Sequence, residues 1–251
     1  MENLSLLIDL HLGGARQGPG SDAMTRRAIG LAGLGAHTGL RIADIGCGTG
    51  ASTLVLAQEL DAEITAVDFL PDFLRALEDR ADAAGVRERI TTLEASMEAL
   101  DFRVGSFDAI WSEGAIYNIG FAAGVRRWRD FLKPGGVLAV SELTWLTKER
   151  PRDLHEHWVS QYAEVATAAE KMAQLEAAGY APLGYFPLPE SCWLETYYRP
   201  LEGRFDDFLA RHRGDPAAEA IVEAERAEIA LYEQNSAYFS YGFYIARKLP
   251  E

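Results

Sequence analysis

The stretch "ADIGCGTG", residues 43–50, decides the fold, because it places three glycines between a short apolar segment, "RIADIG", and a helical one, "ASTLVLAQEL". Glycine permits the tight turn that such a junction needs, and it lets a ligand approach the main chain. The carboxylate of Asp44 lies just ahead of the glycines. A strand, a glycine turn and a helix in this order predict a ligand site at one edge of an α/β sheet.

A second acidic residue narrows the class of ligand. Asp68 closes the next predicted strand, "ITAVDF", 22 positions after Gly46. A carboxylate at that strand end can accept two hydrogen bonds from a ribose diol, which predicts an adenosine-containing cofactor. The turn also satisfies the dinucleotide pattern G-x-G-x-x-A, with Ala51 at its end. The turn and Asp68 therefore fit NAD as well as S-adenosylmethionine, and Asp68 could alternatively cap the following helix.

Strands and helices alternate with short connections up to about residue 145, which predicts right-handed crossovers and a parallel sheet. After about residue 146 we expect mostly helices, including 163–178 and 201–235, and one strand at "YAPLGYFPL". The aromatic-rich "YFSYGFYIARK" alternates and predicts a final strand, antiparallel at the edge of the sheet. The predicted parallel strands are "RIADIG", "EITAVDF", "ITTLEAS", "FDAIWSE" and "GVLAVSELTW", with a turn at "PGG" before the last.

Bulk properties exclude several classes of partner. The 251 residues carry a net charge of −14, which disfavours a nucleic-acid partner because the phosphate backbone is also negative. The sequence contains no run of about 18 apolar residues, so we expect no membrane span. The N-terminus lacks the basic flank and cleavage site of a signal peptide, so we expect a cytoplasmic protein. We expect no metal, since two cysteines cannot form a cluster and His155 and His157 would point to different faces of a helix.

Over residues 38–145 the sequence resembles the class I S-adenosylmethionine-dependent methyltransferases. The matching pieces are "ADIGCGTG", "VDF", "ASMEALDF", "FDAIWSEGAIYNIG" and "FLKPGGVLAVSE". "LKPGG" before an apolar strand is familiar in these enzymes and has no role in dehydrogenases. "RQGPGS", "WSEGAIYNIGF" and "YGFYIARK" extend the resemblance to a bacterial group of small members of the superfamily. The resemblance implies a Rossmann-like seven-stranded sheet in the order 3-2-1-4-5-7-6, with the last strand antiparallel and helices on both faces.

The resemblance also implies roles for individual residues. Asp68 would bind the ribose, Phe69 would lie against adenine, and Asp44 would sit near the amino group of the cofactor, directly or through the loop and water. Ser96 stands where the family often has an acid that contacts adenine. The segment before the first strand commonly folds over the cofactor, so that Arg16 could pair with an acidic acceptor or with Glu113. The implied cofactor-binding residues are Asp44, Gly46, Gly48, Gly50, Asp68, Phe69, Ser96, Met97, Glu113 and Gly18.

Methyl transfer is an in-line displacement that depends mainly on alignment and exclusion of water. A base is needed only when the acceptor atom must lose a proton. Tyr117, Glu113 and His155 are the candidate catalytic residues. The chain lacks the Asn/Asp-Pro-Pro-aromatic motif and the Pro-Cys pair of nucleic-acid and amide methylases, which leaves a small-molecule acceptor methylated on O, N, S or C.

We expect one domain over 1–251, with an N-terminal helical cap at 1–36, a cofactor-binding core at 37–145 and a substrate-side elaboration at 146–251. A homodimer is compatible with the sequence. Two rival functions stay open at this point. One is an NAD-dependent oxidoreductase, and the other is a protein that binds S-adenosylmethionine without catalysis.

Overall fold

A mixed β-sheet runs through the computed structural model, which describes residues 2–250. Within that range the sheet has eight strands in the order β3-β2-β1-β4-β5-β8-β7, and the short β6 pairs with β5 outside this path. β3, β2, β1, β4 and β5 are parallel, and β8 is antiparallel to both β5 and β7. The strands are β1 Leu40–Ile45, β2 Ala62–Asp68, β3 Ile90–Glu94, β4 Phe107–Glu113, β5 Leu132–Trp145, β6 Ala166–Thr167, β7 Tyr180–Pro187 and β8 Phe239–Lys248.

The predicted α/β fold is confirmed. The strand order is the expected 3-2-1-4-5-7-6 with one two-residue strand added ahead of the last two, and the last strand is antiparallel as expected. The helices are α1 Glu2–Leu12, α2 Asp22–Ala32, α3 Ala51–Glu59, α4 Pro71–Ala83, α5 Phe121–Arg129, α6 Arg152–Gln161, α7 Ala168–Ala177, α8 Ser191–Trp193, α9 Arg199–Glu202, α10 Phe205–Arg211 and α11 Pro216–Asn235, and a π-helical turn, Leu194–Tyr198, joins α8 to α9.

Helices cover both faces of the sheet because its strands are apolar on both sides. Ile42 of β1 packs in one core cluster with α2, α3 and α4, whereas Ala43 and Ile45 pack in another with α5 and α7. A third cluster lies at the C-terminal end of β5 and the N-terminal end of β8, around Trp145 and Phe239, and contains residues of α1, α6 and the helices from α8 to α11. This third cluster gives the sheet an additional helical layer on the side where the parallel strands end.

Three predicted elements have different bounds in the structure. The helix expected at 163–178 begins only at Ala168, because residues 166–167 join the sheet as β6 and Thr167 caps α7 in a reciprocal box with Glu170. The helix expected over 201–235 is interrupted near Gly203 and again before Asp215, whose carboxylate accepts a hydrogen bond from the backbone N–H of Ala217 to start α11. The "PGG" turn lies inside the irregular beginning of β5, where the register with β4 shifts.

The glycine turn at the end of β1 is also a packing constraint. Gly50 has a φ of 89°, and a Cβ atom there would lie 2.1 Å from Cδ1 of Leu77 on α4. We predict that Gly50→Ala lowers the free energy of unfolding by about 2–5 kcal/mol, of which about 1–2 is backbone strain and the rest is overpacking. Chemical denaturation measures this change.

Gly85→Ala is the matched control. Gly85 also has a positive φ, 70°, but a Cβ atom there meets nothing within 4 Å, so only the backbone strain applies. Equal losses of stability in the two variants would show that contact with Leu77 does not restrict residue 50.

Candidate functional site

The glycine turn forms one wall of a crevice at the C-terminal ends of β1, β2 and β4. Gly46 and Gly48 both have positive φ values, 75° and 56°. A Cβ atom on Gly46 would lie 2.4 Å from Cβ of Ala115, and one on Gly48 would lie 2.4 Å from Oε1 of Gln17. Backbone conformation therefore favours glycine at both positions, and the close approach of Ala115 also excludes a side chain at Gly46.

Asp68 joins the glycine turn to the loop after β2. Its Oδ2 accepts a hydrogen bond from the backbone N–H of Gly48 at 2.9 Å, and its Oδ1 accepts one from the backbone N–H of Leu70 at 3.0 Å. The residue is 9% exposed and lines the crevice. Burial raises the pKa of Asp68, and the backbone hydrogen bonds partly offset that shift. The carboxylate thus organises the loop and also faces the site where a ribose is expected.

The crevice has a volume of about 200 Å³, and many of the predicted residues meet there. Phe69 is 57% exposed, which leaves its ring accessible to a ligand. The predicted residues that line this crevice are Gly18, Gly46, Gly48, Asp68, Phe69, Met97, Glu113 and Tyr117.

Asp44 lies behind the crevice and does not line it. Its side chain is fully buried, and Oδ2 accepts hydrogen bonds from the hydroxyls of Ser52 and Thr53 at 2.8 and 2.7 Å, while Oδ1 has no partner. Burial raises the pKa of Asp44 to about 7, although the two hydroxyls oppose the shift. Asp44 thus contacts the first turn of α3, and its predicted position near the amino group of the cofactor, through the loop and water, stays a prediction.

Ser96 and Gly50, two further residues predicted to bind the cofactor, also do not line the crevice. Ser96 is exposed and accepts a hydrogen bond from the backbone N–H of Glu98, so Met97 and Ala95 supply the wall after β3. Gly50 packs against Leu77 instead of facing the ligand side.

Glu113 is held in place by partners on both of its oxygens. Oε2 accepts from Nη1 of Arg16 at 2.9 Å, and Oε1 accepts from the hydroxyl of Thr25 at 2.7 Å and from Nε1 of Trp111 at 2.9 Å. The side chains of Arg16 and Glu113 are each 8% exposed. A carboxylate committed to three donors is poorly suited to remove a proton, so the geometry supports a structural role for Glu113.

The segment Gly13–Gly20, here called the strap, crosses the crevice and is fastened to the glycine turn. Gln17 donates through Nε2 to the hydroxyl of Thr49 at 3.0 Å and accepts from the backbone N–H of Thr49 at 3.0 Å. Arg80 of α4 donates to the carbonyls of Gly14 and Thr49. The pairing of Arg16 with Glu113 was one of the expected pairings. No local sequence pattern indicates that Thr49 and Arg80 form hydrogen bonds with the strap.

A second, larger cavity of about 770 Å³ adjoins the crevice. The two share the lining residues Gln17, Gly18, Pro19, Gly114 and Tyr117. Six aromatic side chains line the larger space, which is here called the aromatic cavity: Tyr117, Trp158, Tyr162, Trp193, Tyr197 and Tyr241. Its polar lining side chains are Gln17, His157, Gln161 and Glu228, and no lysine or arginine of the described chain lines it.

The histidine expected near the chemistry is not the one that lines the cavity. His155 is exposed, accepts a hydrogen bond from Nε of Arg150 at 3.2 Å and lies beside the ring of Trp145. His157 lines the aromatic cavity instead, because residues two apart on α6 point in different directions. Trp158, Tyr162 and Glu228 were missed as site residues, because only the packing of the C-terminal helices brings them together.

The comparisons with known proteins agree with this geometry. Residues 42–136 match the family model for a methyltransferase domain. A methyltransferase from Geobacter sulfurreducens, solved with S-adenosyl-L-homocysteine, superposes with a TM-score of 0.83 at 18% identity and covers 100% of this chain and 98% of its own. Residues 42–136 therefore resemble a methyltransferase domain, and the chain has the fold of a solved methyltransferase.

Two other relatives show how widely this fold is used. The chain is 29% identical to 27-O-demethylrifamycin SV methyltransferase of Amycolatopsis mediterranei over 171 residues, 64% of this chain and 61% of that enzyme. The match therefore spans less than two thirds of the length of that relative. The [4+2]-cyclase SpnF superposes with a TM-score of 0.78 at 21% identity, covering 99% of this chain and 93% of the other. Likeness of fold alone therefore leaves the reaction open.

Two kinds of structural feature are absent from residues 2–250. None of the helices there has the length and apolar character to cross a bilayer. No three histidine, cysteine or acidic side chains in the same range are grouped to hold a metal ion.

The buried carboxyl of Asp44 predicts a pH dependence of stability. Its pKa is about 7 in the folded protein and near 3.8 when unfolded, so the folded state holds the extra proton between these values. The contribution is fully present below about pH 4 and is lost as the pH rises to about 7. We expect Asp44→Asn to remove up to about 4 kcal/mol of this decline. Urea unfolding across pH 4–8 measures it.

Glu63→Gln is the control, because Glu63 is an exposed carboxyl on the neighbouring strand β2. That variant should keep the dependence of the parent protein. If Asp44→Asn leaves the slope unchanged as well, the Asp44 carboxyl is already ionised in the fold.

Proposed function

We propose that this protein transfers a methyl group from S-adenosylmethionine to a small-molecule acceptor. The observation that carries the proposal is the pair of adjoining spaces, a crevice at the glycine turn and a separate aromatic cavity. One space suits the cofactor and the other suits an acceptor, and they meet at the strap and Tyr117. A protein that only bound the cofactor would have no need of the second space.

The residues around the crevice fit the cofactor. The cradle at Gly46 has no room for a side chain, Asp68 presents a carboxylate suited to a ribose diol, and Phe69 offers an exposed ring to adenine. Met97 would pack beside the adenine. When bound, S-adenosylmethionine supplies a methyl group activated by a sulfonium ion.

The chain contributes alignment and exclusion of water. The strap covers the crevice and is tied to the glycine turn through Gln17 and to β4 through Arg16. Tyr117 lines both spaces, and burial raises the pKa of its hydroxyl. Tyr117 therefore stays protonated near neutral pH and serves to orient the acceptor by a hydrogen bond instead of acting as a phenolate base.

The lining of the aromatic cavity restricts the acceptor. Carboxylates and phosphates in proteins are normally held by lysine, arginine or helix N-termini, and no lysine or arginine of the described chain lines this space. We therefore propose a neutral or cationic acceptor with an apolar body. The Amycolatopsis relative carries the name of a small-molecule acceptor, which is consistent with this proposal.

The rival functions receive less support. The dehydrogenase alternative needs a hydride-transfer histidine beside the cofactor, and no histidine of residues 2–250 lines the crevice at the glycine turn. The cyclase match is a likeness of fold alone. A cytoplasmic location and a homodimer stay predictions.

Calorimetry with S-adenosylhomocysteine tests the cofactor. We expect the parent protein to bind it and to show no binding of NAD. Asp68→Asn should weaken the affinity at least tenfold, because hydrogen bonds to a charged group are worth about 1.5–3 kcal/mol each. The variant should also unfold more easily without ligand, since Gly48 and Leu70 lose a charged acceptor.

Asp82→Asn on the exposed face of α4 is the matched control and should leave the affinity for S-adenosylhomocysteine unchanged. Tight NAD binding without a response to S-adenosylhomocysteine would overturn the proposed function. Undiminished affinity in Asp68→Asn would restrict Asp68 to holding the loop.

A further inference from the structure

The aromatic cavity is lined by one acidic side chain, and no lysine or arginine of residues 2–250 lines the cavity beside it. Glu228 of α11 lines the cavity, and its Oε1 accepts a hydrogen bond from the hydroxyl of Tyr198 at 2.9 Å. Burial raises the pKa of Glu228, and the neighbouring Glu225 adds to the shift. The imidazole of His11 lies 3.3 Å from Oε1 of Glu225 and, when protonated, favours the charged form of Glu228. Glu228 is thus a partly desolvated carboxylate that the chain itself does not neutralise with a lysine or arginine.

Arg16, the cationic side chain that lines the adjoining crevice, is also paired with other residues. Arg16 contacts Glu113 at 2.9 Å and Asp22 at 3.2 Å, and its side chain is 8% exposed. It therefore cannot serve as the counter-ion of Glu228 without breaking the pair that holds the strap. A bound ligand with an ammonium group would give Glu228 a permanent ionic partner, which lowers the cost of a carboxylate in a poorly solvated space.

The aromatic walls of the cavity also suit a positively charged ligand. Several of the six aromatic rings are close neighbours: Trp193 and Tyr241 have ring centroids 5.1 Å apart, and Tyr117 and Tyr162 have centroids 6.2 Å apart. Tyr197 belongs to the π-helical turn, which places its ring in the wall. Aromatic rings together with a carboxylate are the groups that recognise an ammonium ion, by cation–π attraction and ion pairing.

We propose that the aromatic cavity binds a cationic nitrogen of the acceptor and that Glu228 determines this specificity. This inference rests on the proposed function, because it names the class of acceptor for the same site. The acceptor then has an apolar body that fills the cavity of about 770 Å³ and one ammonium group that pairs with Glu228. The role of Glu228 is recognition, so it is visible in binding without any methyl transfer.

Binding of two molecules of equal shape and different charge tests the proposal. Choline and its neutral carbon analogue, 3,3-dimethylbutan-1-ol, are titrated into the protein saturated with S-adenosylhomocysteine. Calorimetry measures both affinities, and the fluorescence of Trp158 and Trp193 in the cavity wall provides a second signal. We expect choline to bind at least tenfold more tightly than the neutral analogue. Glu228→Gln should abolish that preference by weakening choline alone.

Glu223→Gln is the matched control, because it removes the same charge from an exposed position on the same helix. It should leave the preference for choline intact, and both variants should bind S-adenosylhomocysteine like the parent. Equal affinity for choline and its analogue, no binding of choline, or an unchanged preference in Glu228→Gln would each overturn the proposal. Failure to bind S-adenosylhomocysteine in the parent protein would instead refute the proposed function.

Discussion

The arrangement of the site depends on the glycine turn between β1 and α3, which is held from two sides by hydrogen bonds. Asp68 accepts from the backbone of Gly48, and Gln17 exchanges hydrogen bonds with Thr49. The turn needs positive φ values that only glycine adopts without strain. Once these contacts form, the end of β2 and the strap are fixed relative to β1, and the crevice between them has its shape.

The strap connects the crevice to the aromatic cavity. Its residues Gln17, Gly18 and Pro19 line both spaces, and Arg16 binds Glu113 at the end of β4. In this pairing Glu113, a candidate catalytic residue, positions the strap instead of removing a proton from the acceptor. This structural role of Glu113 is consistent with a reaction that depends on alignment and exclusion of water more than on a base.

The parallel core could be predicted from sequence because its signals are local. The glycine turn, Asp68 at a strand end and apolar strands at regular spacing each lie within a few residues, and the structure places them as expected. The burial of Asp44 behind the crevice could not be predicted, because a shift of one residue along a strand reverses the side to which a side chain points. Glu228 and Trp158 meet only through packing of helices far apart in the chain, so no local pattern marks them.

A crystal structure of the protein with S-adenosylhomocysteine tests the central claim most directly. The account predicts that the ribose hydroxyls contact the carboxylate of Asp68 and that the sulfur lies where the two spaces meet, between the strap and Tyr117. The acceptor would then reach the methyl group from the aromatic cavity. A ligand bound with its sulfur turned away from that cavity, or with its ribose away from Asp68, would contradict the account.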